Sequence, residues 1–239
     1  MRHAMEPVTA VAAIIPCLDE EAAIGQVVAA VRAQGIATVI VVDGGSRDRT
    51  AERARDAGAV VVAEPRRGYG RAVQSGIAAL PAEASIVLFL DGDGSDPPER
   101  IPDVLAPILA GRAEFVHGTR VKGEREPGAL SPQQVAAGRI AQLLLRLFYG
   151  ARFSDMSPFR AIRRPALERL GMREETYGWN LEMLMRVAAA RIASEEVAVG
   201  QRRRIGGVSK VSGNPRAVAA ASWSIATTFL RLAAALRRG

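Results

Sequence analysis

Short apolar runs alternate with stretches of helical spacing through the first half of the chain. Residues 8–15, Thr38–Val42, Ala59–Ala63 and 85–90 are runs rich in Ala, Val, Ile and Leu, bounded by turn residues. Uninterrupted runs of this length are the mark of strands buried on both faces. Between the first two, Glu20–Gln34 places Ile24, Val27, Val28 and Val31 three and four apart, which predicts a helix stopped at Gly35. Arg47–Ala57, Gly70–Leu80 and Pro98–Ala110 read as further helices, and Glu114–His117 as a short fifth strand. Strands and helices alternating at this interval demand an α/β fold with a mostly parallel central sheet flanked by helices.

The alternation weakens after residue 118. Lys122–Ser131 mixes charge, Gly and Pro and reads as a lid-like loop. Gln133–Tyr149 is a strongly apolar helix, Asp155–Ile162 is extended, Trp179–Ala190 is helical and Ile192–Val199 is a last strand. Arg202–Asn214 is a basic, Gly-rich loop, and Pro215–Arg238 a long helix. The expected organisation is one domain over 1–214, with a nucleotide-binding half at 9–118 and an acceptor half at 119–214. The segment 215–239 is then a C-terminal amphipathic helix.

Composition narrows the function. With 49% hydrophobic residues the chain is globular. A net charge of +7 admits nucleic acid, a membrane surface or phosphorylated ligands. Aromatic residues are only 5% and do not interleave with basic ones, which argues against a stacking platform for single strands, and nucleic acid is not an expected partner. Cys17 stands alone, which rules out an internal disulfide and fits a reducing, cytoplasmic setting. With His3 and His117 the only imidazoles, a zinc site has too few ligands.

Four polar segments follow the first four strands and therefore share one rim of the sheet, where ligands bind in open α/β folds. They are Pro16–Glu21, Asp43–Thr50, Arg66–Arg71 and Asp91–Gly92–Asp93. Carboxylates one residue apart, with a glycine between, suit a hard divalent cation that also holds phosphate oxygens. A solvated acidic turn is the alternative reading of Asp91 and Asp93 taken alone. A carboxylate after the second strand can accept from ribose hydroxyls or a base edge. Glycines after the third let backbone approach a diphosphate, and arginines neutralise it. No G-x-G-x-x-G follows the first strand, so the pattern is not that of a dinucleotide fold.

These motifs resemble the family-two glycosyltransferases, whose fold is the type-A glycosyltransferase domain. Later segments resemble the dolichol- or polyprenol-phosphate sugar synthase branch. They are Gly118–Arg120, Asp155–Arg160, Tyr177–Met183 and Arg202–Lys210. The resemblance spans residues 9 to about 214. Asp19 departs from it, standing where the family usually has Asn. Ser95 stands where many relatives have Gln, leaving a third protein ligand to the metal unassigned.

The resemblance implies a metal-dependent, inverting hexosyltransferase. Asp91 and Asp93 would hold Mg2+ or Mn2+, with Asp93 and Asp155 as the catalytic carboxylates. A nucleotide diphosphate sugar, of UDP-glucose or GDP-mannose type, would contact Pro16, Leu18, Glu20, Asp43, Gly68, Arg71, Asp91 and Gly92. Arg202, Ser209 and Lys210 would close over its phosphates. Arg120 and Arg160 would meet an acceptor phosphate. The implied acceptor is a polyprenyl phosphate at the cytoplasmic face of the membrane, where the protein would be peripheral. The same donor chemistry with a soluble phosphorylated acceptor, and a nucleotide-sugar-binding protein without turnover, are the alternatives. The C-terminal helix fits a membrane surface, or packing on the domain or on a copy of itself in a homo-oligomer.

Overall fold

The computed structural model describes residues 10–206, 223 and 226–234. A seven-stranded sheet forms the centre, in the order β3-β2-β1-β4-β6-β5-β7. Its first four strands in sequence are β1 (Val11–Cys17), β2 (Thr38–Asp43), β3 (Val60–Ala63) and β4 (Ile86–Phe89). They run parallel. The remaining strands are β5 (Phe115–Thr119), β6 (Arg160–Arg163) and β7 (Ser194–Ala198). β6 lies antiparallel to both β4 and β5, while β7 pairs parallel with β5. Strands from both stretches of chain thus share one sheet.

Helices cover both faces: α1 (Ile24–Ala33), α2 (Thr50–Asp56), α3 (Tyr69–Ala78), α4 (Ile101–Leu109), α5 (Pro132–Tyr149), α6 (Arg164–Leu170) and α7 (Trp179–Ala189). The period of two along β1 sorts its side chains. Val11, Ala13 and Ile15 join a core with α1 and α4, whereas Ala12 and Ile14 join a core with α3 and α7. In α1, Ile24, Val27, Val28 and Val31 are the buried stripe the spacing predicts.

Several elements differ from expectation. α1 begins at Ile24 rather than Glu20, because residues 21–23 form a turn in which the Glu20 carbonyl accepts from both Ala23 and Ile24. The stretch 155–159 is loop, and only Arg160–Arg163 pairs into the sheet. α6 was not foreseen; Pro165 at its first turn and left-handed Gly171 after it are helix punctuation that the sequence carries. Residues 226–234 are helical, as expected of the tail. No helix among the described residues is long and apolar enough to cross a membrane.

The strand order places β2 and β3 on one side of β1, and β4 on the other. This reversal opens a crevice beyond the carboxyl ends of β1 and β4. Register aligns the rim: Cys17 pairs with Asp43, which pairs with Ala63.

Candidate active site

A cavity of about 570 Å³ lies at this rim, walled by the segments that leave β1, β2, β3, β4 and β5. Pro16, Leu18 and Glu20 come from the β1 side, Gly68 and Tyr69 from the start of α3, and Arg120 from the end of β5. Its floor is the turn after β4. Gly92 is enforced there, because a Cβ would lie 2.2 Å from Cys17 Sγ. Asp91 and Asp93 consequently flank a residue pressed on β1 and face the cavity together.

Negative charge is concentrated at this floor. Asp96 is buried beneath it; its Oδ2 accepts from the Asp91 amide at 2.9 Å, and Oδ1 has no hydrogen-bond partner among the described residues. Burial pushes the Asp91 carboxyl well above its ordinary range, and the charges of Asp96 and Asp93 push it further. Burial likewise raises Asp96, to about 7. A floor this rich in close-set carboxyl groups fits a divalent cation. No three His, Cys, Asp or Glu side chains converge into a metal cage among the described residues. The Asp91–Asp93 pair suits Mg2+ or Mn2+ held by two carboxylates, with its other positions left to phosphate oxygens and water. Ser95, at the position where a third ligand was unassigned, instead donates its amide to Asp93 Oδ1 at 2.9 Å.

The arginines are distributed differently from the expectation. Arg202 pairs with Glu99 on the surface, away from the cavity wall. Arg204, which sequence reasoning passed over, enters the site. Its Nη2 donates to both Glu20 carboxylate oxygens at 2.7 and 2.8 Å, and its Nη1 stands 3.7 Å from Asp93 Oδ2. The loop that carries it is bonded to the floor, through Arg202 N to Ser95 O and Ile205 N to Asp93 O, both 2.9 Å. Ser209 and Lys210 lie outside the described residues.

Arg71 turns to Glu175, with Nε 2.8 Å from Oε2. The glycines beside it serve packing rather than phosphate. A Cβ on Gly68 would meet the Glu175 carbonyl at 2.3 Å, and one on Gly70 the Glu174 carbonyl at 2.2 Å. The amides of Gly70 and Arg71 donate to the Thr176 and Glu175 carbonyls. The N–H groups of Gly70 and Arg71 in the first turn of α3 are therefore taken by protein carbonyls and are not offered to an anion. Gly68 still lines the cavity. Asp43 keeps its place at the rim; its Oδ1 accepts from the Ser46 amide at 3.3 Å, and the adjoining Gly44 lines the wall. Asp19 adopts φ +53, a left-handed conformation that Asn and Asp tolerate best, and its Oδ1 accepts from the Arg47 amide at 2.8 Å.

Arg120 and Asp155 form a buried bidentate pair, Nε to Oδ2 at 2.6 Å and Nη2 to Oδ1 at 2.8 Å. The Met156 amide adds a third donor to Asp155, at 2.7 Å, and the Arg120 amide a fourth, at 3.2 Å. Burial pushes the Asp155 carboxyl up. The hydrogen bonds and charge of Arg120 override that and hold it at about 2. Arg160 does not reach the cavity. It is fully buried, its guanidinium spent on the carbonyls of Ser157, Pro158 and Asn180 and lying 5.9 Å over the Trp179 ring. Strand pairing in β6 turns this side chain into the core. Glu182 is also structural: it accepts from Arg186 one turn along α7 and from the Arg173 and Glu174 amides.

The family described as Glycosyl transferase family 2 matches residues 12–171, the stretch from β1 through α6 that builds most of this rim. The chain belongs to glycosyltransferase family 2. This glycosyltransferase is 39% identical over 209 residues to an uncharacterized glycosyltransferase of Mycobacterium tuberculosis, covering 87% of this chain and 92% of the relative. It is 35% identical over 200 residues to a dolichyl-phosphate hexose transferase of Haloferax volcanii, covering 82% and 84%. Its fold is similar to that of glucosyl-3-phosphoglycerate synthase from Mycobacterium tuberculosis in complex with Mn2+, uridine-diphosphate-glucose and phosphoglyceric acid. The TM-score is 0.75 at 23% identity, over 94% of this chain and 79% of the other.

Proposed function

We propose that this glycosyltransferase is a metal-dependent, inverting enzyme that moves a hexose from a nucleotide diphosphate sugar to a polyprenyl phosphate. The observation that carries the reading is a single cavity lined both by the Asp91–Asp93 pair and by Arg120, a cation oriented by a buried carboxylate. The first suits a diphosphate leaving group and the second an acceptor phosphate.

Glu20 and, at the adjoining rim, Asp43 would contact the nucleoside, with Arg204 joining Glu20 to Asp93 at the floor. Asp91 and Asp93 would hold Mg2+ or Mn2+, which would supply positive charge for a departing diphosphate. Arg120 holds the acceptor phosphate so that its oxygen meets the anomeric carbon opposite the nucleoside diphosphate. The new C–O bond forms as the old one breaks, its electron pair leaves with the diphosphate, and the anomeric centre inverts. A phosphate acceptor is already ionised near neutral pH and needs no general base. Asp155, saturated by four donors, positions Arg120 rather than taking a proton.

The dolichyl-phosphate hexose transferase relative supports the lipid acceptor. The phosphoglycerate-bound fold neighbour supports a second reading, a soluble phosphorylated acceptor at the same Arg120. A peripheral place at the cytoplasmic face of a membrane accompanies the lipid reading.

The test is a product assay with UDP-glucose, GDP-mannose and related donors in Mn2+, offered short-chain polyprenyl phosphate or 3-phosphoglycerate. Lipid-linked sugar is expected. Product on phosphoglycerate alone would replace the lipid reading, and donor binding without any product would overturn turnover. Asp93→Ala is expected to lower metal-dependent turnover about 1000-fold, the several kcal/mol a bound ion supplies to a leaving group. Unchanged turnover would remove the metal.

A further inference from the structure

Ile140, Leu143 and Leu147 stand 61, 56 and 69% exposed along one side of α5. Spacings of three, four and seven put them on a single stripe. An apolar stripe on a surface helix normally faces the core; here Ala141 and Leu145 do so, and the exposed stripe faces outward. The C-terminal helix lies against the same region. Phe148 of α5 and Phe229 stack edge-on, with centroids 5.4 Å apart at 77°. That helix adds two more exposed groups, Trp223 at 74% and Leu230 at 69%. Two elements distant in sequence, in contact through Phe148 and Phe229, thus each present unburied large apolar side chains, and exposed apolar surface of this kind marks an interaction site.

Charge identifies the occupant. α5 carries Arg139 and Arg146, both exposed, and no carboxylate. The sequence 216–239 carries Arg216, Arg237 and Arg238, besides Arg231, which pairs with Glu174, and again no carboxylate. A second copy of this face would meet arginine with arginine. An anionic bilayer offers complementary charge to the arginines, hydrocarbon to the stripe, and an interfacial level suited to Trp223.

The face also continues into the site. α5 starts at a capping box, where Ser131 accepts from Gln134 N and Gln134 returns the bond, and Gln134 lines the cavity. Four residues on, Gly138 faces Asp155: a Cβ there would lie 3.6 Å from Oδ1, at ordinary contact distance. The start of α5 therefore meets the pair that orients Arg120, while its outer stripe runs away from the cavity.

We propose that α5 and the C-terminal helix together form a docking face for an anionic lipid surface, with Ile140, Leu143, Leu147, Trp223 and Leu230 entering the interface. This rests on the lipid-acceptor reading only for its purpose: the face would deliver the phosphate of a bilayer-embedded acceptor to Arg120.

The experiment is flotation of the full chain with vesicles of phosphatidylcholine, with and without phosphatidylglycerol, alongside Leu143→Glu/Leu147→Glu. Both positions are exposed, so the core is untouched. The native chain is expected to float with anionic vesicles and to be released by salt, and the double variant to bind at least 10-fold more weakly. Transfer to a short-chain acceptor in solution is read in parallel and should be equal in the two proteins. A native chain that stays with the soluble fraction at low salt overturns the docking face, while soluble transfer to the short lipid would leave the acceptor reading intact. Equal flotation of the double variant overturns it too. So does light scattering that shows a native dimer and a monomeric variant, with no flotation of either.

Discussion

One guanidinium links two carboxylates that different motifs contribute: Arg204 is bonded to both oxygens of Glu20, and its other terminal nitrogen reaches toward Asp93. The late loop therefore places a cation beside the metal carboxylate. A diphosphate arriving there would offer Arg204 a stronger acceptor than Glu20 alone.

Arg204→Ala is accordingly expected to weaken binding of the nucleoside diphosphate about 10-fold or more, the loss of one charge-assisted hydrogen bond of roughly 1.5–3 kcal/mol. Calorimetric titration with UDP and GDP in Mn2+ measures this. Equal affinity would confine Arg204 to holding Glu20.

The Arg120–Asp155 pair makes a pH statement. Asp155 titrates at about 2 in the folded protein, below an unfolded value near 3.9. Its contribution to stability is present above about pH 4 and is lost as pH falls toward 2. No ionisation of Asp155 should therefore appear in kcat/KM between about pH 5 and 9. Asp155→Ala leaves Arg120 buried without its partner and should cost about 3–5 kcal/mol of stability. Asp155→Asn should fold better yet still lose acceptor affinity, read as a rise in acceptor KM. An essential group titrating near neutrality and abolished in Asp155→Asn would instead make Asp155 a base.

Gly70→Ala tests whether the glycines after β3 serve packing. The new Cβ would meet the Glu174 carbonyl, which is backbone and cannot rotate away. Overpacking of this kind costs roughly 1–3 kcal/mol. For a chain of this size that lowers Tm by about 2–4 °C per kcal/mol. A variant with normal melting but poor diphosphate binding would return Gly70 to the donor.

Glu174 anchors the C-terminal helix. It accepts from Thr228 Oγ1 at 2.8 Å and from Arg231, and Thr228 fills the space a Cβ on Gly178 would need. Burial raises the Glu174 carboxyl, and its hydrogen bonds with Thr176 and Thr228 outweigh that and lower it. The anchor is then complete above the ordinary glutamate value near 4.3 and weakens as pH falls below it. Protection of amides 226–234 from hydrogen exchange, relative to the intrinsic rate at each pH, should fall below about pH 4, and in Glu174→Gln already at pH 7. Equal exchange in both proteins at pH 7 would show that the helix is held by Phe229 and Leu232 alone.

Local order was legible wherever one element sufficed to explain a residue. Burial on both faces writes β1 and β4 as unbroken apolar runs, and the α1 stripe follows from a 3.6-residue period. The Asp91–Gly92–Asp93 turn was visible because strand alternation alone puts it on the ligand rim, although the need for Gly92 comes from Cys17 on another strand. Long-range partners were not legible. Arg202 and Arg204 are the same residue type two positions apart, and only the course of the loop over Ser95 and Asp93 sends one to Glu99 and the other to Glu20. Gly68 and Gly70 look like a phosphate cradle in sequence, yet the segment Glu174–Thr176, about a hundred residues away, occupies their open side. Arg160 follows a motif that suggested an acceptor phosphate, until strand pairing turned it into the core. Periodicity and turn chemistry act within a few residues and can be read along the chain. Which charge meets which depends on chain segments brought together through the sheet, and no local pattern encodes that.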